Sequence, residues 1–282
     1  MGARDHVRLV VAAGTLTFGV CGAAAADDVS RWDGDARSAA RLIAGARAAG
    51  VVAALRAGIE IRLKAGWHTY WRYPGDAGVP PQFDFKQSQN VKQVVVLWPA
   101  PQRLSEDGGT SIGYINNLIL PLRIAPLDRG KPVALRLKLN YAICEKLCVP
   151  AEATSELILR GGLASQDSAL VASELRVPKK AALGEGHALS VRAVRRESGS
   201  AQPHVVVDLV APVGVPVDLF AEGPTPQWAL PVPTEIDGAP AGMRRFTFGL
   251  DGAPPGASYQ GANLRLTVVA GADAIEVPIR LD

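Results

Sequence analysis

Two cysteines separated by three residues, Cys144 and Cys148, stand in the run Tyr141-Ala-Ile-Cys-Glu-Lys-Leu-Cys-Val-Pro150. A thiol pair at this spacing can do one of two things. It can close a disulfide that staples a loop, or it can open and close by thiolate attack through a mixed disulfide. The α-carbons must lie within about 7 Å for the bond to form, and three intervening residues permit that. The ring so closed spans about five residues, for which chain entropy predicts roughly 2 kcal/mol, against about 4 or more for a bridge tying distant strands. The spacing is poor for stapling and suited to exchange, but both uses stay open on this ground alone. Lys146 between the sulfurs favours a thiolate and Glu145 opposes it, although both also read as ordinary exposed loop charges.

The third cysteine, Cys21, falls in a segment that reads as an export leader. Arg4 and Arg8 make a basic start, Leu9 to Val20 is apolar but too short to span a bilayer, and Ala24-Ala25-Ala26 offers a cleavage site, so residues 1–26 are expected to be a signal peptide. A lipoprotein leader would need a small residue before Cys21, where Val20 stands. An exported, soluble protein in the periplasm meets conditions in which disulfides form. The net charge of +3 falls to +2 once Arg4, Arg8 and Asp5 leave with the leader. There is no basic run with interleaved aromatics, which argues against a nucleic-acid partner.

The elements that must position the cysteines read as strands. Leu55, Ala57, Ile59, Ile61 and Leu63 alternate with polar or small residues, and so do Val133, Leu135, Leu137, Leu139 and Tyr141. Such alternation predicts strands with one buried face. Further strands are expected over Thr69–Tyr73, Val91–Leu97, Leu118–Ala125 and Ser155–Leu159. Cys144 then starts where a strand ends, Pro150 argues against continuing a central strand, and the next strand is expected from about Thr154. Ser165 to Val177 predicts one short helix, capped by Ser165 or Asp167, with Leu170, Val171 and Leu175 on one side. After Pro178 strands return: Ala188–Arg195, His204–Val210, Val215–Phe220, Arg244–Leu250, Asn263–Ala270 and Ala274–Leu281. The expected architecture is all-β: two antiparallel β-sandwich domains joined by a short helical linker. The boundaries are residues 27–163, a linker over 164–184, and 185–282.

The cysteine run resembles the active-site segment of the N-terminal periplasmic domain of the thiol:disulfide interchange protein DsbD, and more closely the soluble α-domain of its relative ScsB, the suppressor-of-copper-sensitivity protein. Gly66-Trp-His-Thr-Tyr-Trp-Arg-Tyr-Pro-Gly-Asp-Ala-Gly-Val-Pro-Pro81 is similar to the family's aromatic strand beside the cysteines. Trp98-Pro-Ala-Pro101 through Gly113-Tyr114 is similar to the strand and cap loop that follow. The likeness covers about 50–160 and extends more loosely into the second half. It implies an immunoglobulin-like electron relay with protein-disulfide reductase activity and no cofactor. Cys148 would attack and Cys144 would resolve. A separate membrane-embedded thiol carrier would supply electrons, and a periplasmic thioredoxin-fold protein, either a disulfide isomerase or a cytochrome c maturation thioredoxin, would receive them. Glu106 and Asp107 match the cap-loop carboxylates. Trp67, Tyr70 and Tyr141 surround the pair, with Trp71 a further candidate for shielding it. Two departures stand out: the family's cysteines are further apart, and Ser105 to Ser111 carries no aromatic cap.

Two other readings compete. One is a binding or scaffold protein with an inert disulfide. The other is a copper-handling protein, prompted by the family name and by His68 near the aromatics. Against it, only four histidines occur, His6 leaves with the leader, and Met243 is the one methionine of the mature chain. A reduced thiol pair would bind Cu(I) incidentally. No metal site is expected.

Overall fold

The computed structural model describes residues 1–2, 27–47, 54–75, 78–106, 109–197 and 203–282. The leader expected over 1–26 lies outside them from residue 3 on, as does Asp107. Among the described residues no helix is long and apolar enough to cross a membrane.

Among the described residues, four sheets make up the fold. In the first half, Asp33–Gly34, Ser38–Ala44, Leu55–Leu63, Leu118–Pro126 and Val91–Val96 lie side by side in that order. Facing them is a sheet ordered Cys148–Leu159, Val133–Cys144, His68–Gly75, Gly109–Ile115 and Gln102–Glu106, with the short strand Gln82–Asp84 also paired to Val133–Cys144. In the second half, Lys179–Lys180, Asp273–Arg280, Asn263–Ala270 and Val217–Glu222 form one sheet. Ser190–Glu197, His204–Val210, Arg244–Gly249 and Thr234–Ile236 form the other. This is the all-β architecture expected from alternation and the immunoglobulin-like fold implied by the resemblance. The residues read as inward-facing, Ile59 and Ile61 in one sheet and Leu135 and Leu139 in the other, are fully buried between the first two sheets.

Three local expectations need correction. The strand after the cysteines begins at Cys148, not near Thr154, and contains Pro150. It is the edge of its sheet, where a missing N–H leaves no ladder bond broken. The short helix, Asp167–Leu175, has Gln166 at its N-cap position with no side-chain cap, and only Leu170 of the three apolar residues is buried. Ser165 and Asp167 are otherwise engaged. The Ser165 hydroxyl donates to Asp28 at 3.0 Å, and Asp167 accepts from the Ala46 N–H at 2.9 Å.

That helix is also docked rather than strung between the halves. A Cβ built on Gly45 or Gly58 would lie 2.5 or 3.1 Å from a Leu170 methyl, so two glycines make the seat for this one leucine. Arg56, on the face expected to meet solvent, is 5% exposed. It donates to Glu174 at 2.9 and 3.0 Å and to Asp167 at 2.7 Å. The segment expected as linker is thus divided: the helix packs on the first half, and Lys179–Lys180 pairs in parallel with Asp273–Arg280 of the second.

The halves meet along His68–Gly75. Trp71 is fully buried against Phe220, with ring centroids 5.9 Å apart. The Tyr73 hydroxyl donates to the carbonyls of Trp228 and Leu230 at 3.0 and 2.8 Å. Arg72 donates to Glu222 at 2.9 and 2.7 Å and to Glu276 at 2.6 Å. A single buried apolar cluster runs through both halves.

Candidate functional site

The site grows from one β-hairpin. Val133–Cys144 and Cys148–Leu159 pair antiparallel over their whole length, and the last pair is Cys144 opposite Cys148. The two are disulfide-bonded, with α-carbons 4.1 Å apart. Glu145, Lys146 and Leu147 form the exposed tip, Leu147 being 79% exposed. Alternation decides where each neighbour points. Val133 through Tyr141 send every second side chain inward, so Ile143 continues inward while Ala142 and Cys144 face outward.

The sulfurs are unequal. Cys144 is 2% exposed and packs with Tyr70 and Ala142 in a small cluster apart from the main core. Cys148 is exposed. A nucleophile arriving from solvent therefore meets Cys148 first, and Cys144 is the sulfur behind it.

Tyr70 lies on the neighbouring strand, on the same outward face. Its hydroxyl is 2.7 Å from the sulfur of Cys144 and 3.1 Å from that of Cys148. Disulfide sulfurs carry no proton, so the phenol is the donor to both. The ring is 1% exposed, and Gly78 makes room for it. A Cβ on Gly78 would sit 2.5 Å from Tyr70 Cδ1. A Cβ on Gly113, the residue paired with Tyr70, would sit 2.1 Å from the Thr69 carbonyl oxygen. Thr69 Oγ1 donates to the Ala142 carbonyl at 2.8 Å, locking the aromatic strand to the hairpin. His68 is the residue directly opposite Cys144 on that strand, is 8% exposed, and meets the Tyr70 ring edge-on at 5.5 Å. Gly66, with φ at +87°, turns the chain into this strand beside Glu145: a Cβ there would lie 3.2 Å from the Glu145 carboxylate.

Of the residues expected around the pair, the structure brings Tyr70 to the sulfurs and places others elsewhere. Tyr141 points into the core, three residues and one face away from Cys144. Its hydroxyl and that of Ser38 are hydrogen-bonded at 2.6 Å, and burial pushes its pKa up, only partly offset by that bond. Trp67 packs partly buried against the main core, with the Arg37 guanidinium 5.8 Å from its ring centroid. Trp71 is on the inward face. Glu106 ends the strand Gln102–Glu106, which pairs back onto Gly109–Ile115 with Ser105 opposite Thr110. Asp107 lies outside the described residues.

Reading the sequence missed Gly78 and the direct opposition of His68 to Cys144. The signal for the first was a glycine just before Pro80-Pro81; the second is a matter of register and had none. Among the described residues no group of three or more His, Cys, Asp or Glu is placed to hold a metal ion.

Residues 39–160 match the protein family described as thiol:disulfide interchange protein DsbD, N-terminal. The chain is similar in structure to the N-terminal periplasmic domain of ScsB from Proteus mirabilis, with a TM-score of 0.68 and 18% sequence identity over 90% of this chain and 98% of that one. Among curated proteins none matches.

Proposed function

Since residues 39–160 belong to the DsbD N-terminal family of thiol–disulfide interchange domains, we propose that this chain is a periplasmic relay that carries reducing equivalents on Cys144 and Cys148. The observation that supports it most is the asymmetry of the disulfide. One sulfur is open to solvent, the other is buried, and a single phenol donates to both. A static staple has no use for that arrangement, whereas exchange needs one reachable sulfur and one protected sulfur.

In the proposed cycle a thiolate of a membrane-embedded thiol carrier attacks Cys148. The Cys148–carrier disulfide forms and Cys144 leaves as a thiolate that accepts the Tyr70 hydroxyl. A second thiol of the carrier then releases Cys148 reduced. In the forward half, the Cys148 thiolate attacks the disulfide of an oxidised thioredoxin-fold protein. Cys144 next attacks Cys148, re-forming the internal bond and releasing the partner as a dithiol. Each half transfers two electrons. Leu147 at the hairpin tip, 79% exposed, supplies apolar contact beside the reachable sulfur.

The test is a trapping experiment with an oxidised thioredoxin-fold disulfide isomerase. Cys144→Ser should accumulate a covalent adduct through Cys148, and Cys148→Ser should form none. Absence of an adduct with Cys144→Ser overturns the assigned roles. A reduction potential below about −300 mV for the wild-type pair would mark an inert bridge and overturn the relay.

A further inference from the structure

We propose that His68 takes the proton from Cys144 in the resolving half of exchange, a role that rests on the thiol–disulfide reading above. The sheet register sets His68 opposite Cys144 and Cys144 opposite Cys148, so the three residues form one row across three neighbouring strands. Directly opposed residues of antiparallel strands share a face, with Cβ atoms about 4.5–5.5 Å apart. The row runs from a nearly buried imidazole through a buried sulfur to an exposed one. The edge-on contact with Tyr70, whose own hydroxyl reaches both sulfurs, keeps the imidazole on the sulfur face of its strand.

Exchange creates the need for such a group. Once Cys148 is joined to a partner, Cys144 must attack as a thiolate, and apolar burial holds a thiol protonated. The Tyr70 phenol stabilises the thiolate by donating to it but does not take its proton. An imidazole does so near neutral pH. In the step, the Cys144 S–H bond breaks and the proton passes to a ring nitrogen of His68. The sulfur electron pair forms the Cys144–Cys148 bond. The Cys148–partner bond breaks, and its pair leaves on the partner sulfur, which picks up a proton. Over attack and resolution together, this chain loses two electrons and the partner gains two. Among the described residues, the titratable or charged groups near the ring are Tyr70 on its own strand and Cys144 and Cys148 on the hairpin, with Glu145 at the hairpin tip beside Gly66. Opposite on the remaining neighbouring strand is the uncharged Ile115.

Glutathione disulfide serves as the probe. Reduced protein is mixed with it, quenched in acid at intervals and weighed, which separates attack by Cys148 from resolution by Cys144. His68→Gln should attack within about twofold of wild type but resolve at least about tenfold more slowly at pH 7, so that the glutathione adduct builds up. Wild-type resolution should rise and then level off across about 5 to 8, where imidazoles change charge, whereas His68→Gln should keep rising through that range as the thiol ionises unaided. A purely structural role would not move the pH profile. Resolution at wild-type speed with an unchanged profile overturns the inference and leaves the exchange reading standing. Should His68→Gln fail to fold, the wild-type profile decides, and one that rises through pH 8 without levelling overturns the inference. A wild-type protein whose dithiol is not oxidised by glutathione disulfide sinks the exchange reading itself, and this inference with it.

Discussion

Tyr70 reaches both sulfurs with one oxygen, and its value changes with the redox state. Against a disulfide, a weak acceptor, the bond adds little. Against a thiolate it is charge-assisted and contributes about 1.5–3 kcal/mol, which is one to two pKa units. Tyr70→Phe keeps the ring that fills the space between Gly78 and Cys144 and removes only the donor. The expected result is a nucleophilic thiol that titrates one to two units higher and exchanges roughly tenfold more slowly at pH 7, with thermal stability nearly unchanged. The pH dependence of alkylation by iodoacetamide measures it; an unaltered profile would make the phenol a bystander. The trapping of Cys144→Ser and the kinetics of His68→Gln belong to this scale as well. Together the three separate the sulfur that attacks, the group that lowers its cost, and the group that moves the proton.

At the scale of the element, the helix Asp167–Leu175 covers the outer face of the first sheet and changes what that face can hold. Arg56 is buried because Glu174 and Asp167 are there to receive it. Arg123 pairs with Glu174 as well. Burial pushes the Glu174 carboxyl up, but the Arg123 and Arg56 guanidiniums outweigh it and hold the carboxyl below its ordinary value of 4.5. A carboxylate depressed in the folded state adds stability above its unfolded pKa and loses it as pH falls through the folded value. Glu174→Gln should therefore cost about 2 kcal/mol at pH 7. The gap to wild type should close progressively as pH falls below about 4.5. Urea denaturation at pH 7 and pH 3 checks this, and a gap of equal size at both would contradict the assignment.

For the whole molecule, the strand His68–Gly75 has two duties on its two faces and along its length. Tyr70 serves the disulfide, while Trp71, Arg72 and Tyr73 hold the second half. The second half thereby bears on the site without touching a sulfur, by fixing the strand that carries the phenol. Arg72 is the main electrostatic tie. Its burial works against its charge, but Glu222 and Glu276 more than compensate and raise its pKa. Arg72→Met would leave those two carboxylates facing each other with, among the described residues, Arg265 nearby at 3.7 and 3.6 Å. The expected loss is about 3 kcal/mol, seen as a lower urea midpoint, with the disulfide still formed. Unchanged stability would mean that the apolar contact of Trp71 and Phe220 suffices to join the halves.

Much of this was legible in the residues themselves. Period-two alternation over 55–63 and 133–141 fixes which side chains face inward, because a strand has only two faces and water accepts only one kind of residue. The same period carries Ala142 and Cys144 outward, and three intervening residues suffice for a tight hairpin tip. What alternation along a strand cannot convey is which strand lies beside it. Tyr70, Tyr141 and Trp67 are all aromatic and all near the cysteines in the chain, yet only Tyr70 meets the sulfurs, because sheet register sets one face and one neighbour for each. Pro150 sits within a strand because that strand is an edge, Arg56 is buried because a helix more than a hundred residues later covers it, and His68 stands opposite Cys144 because two distant strands pair at that step. Side-chain chemistry and local periodicity are properties of neighbours in sequence. Which sulfur is reachable, and what waits behind it, depends on long-range pairing, which only the folded chain decides.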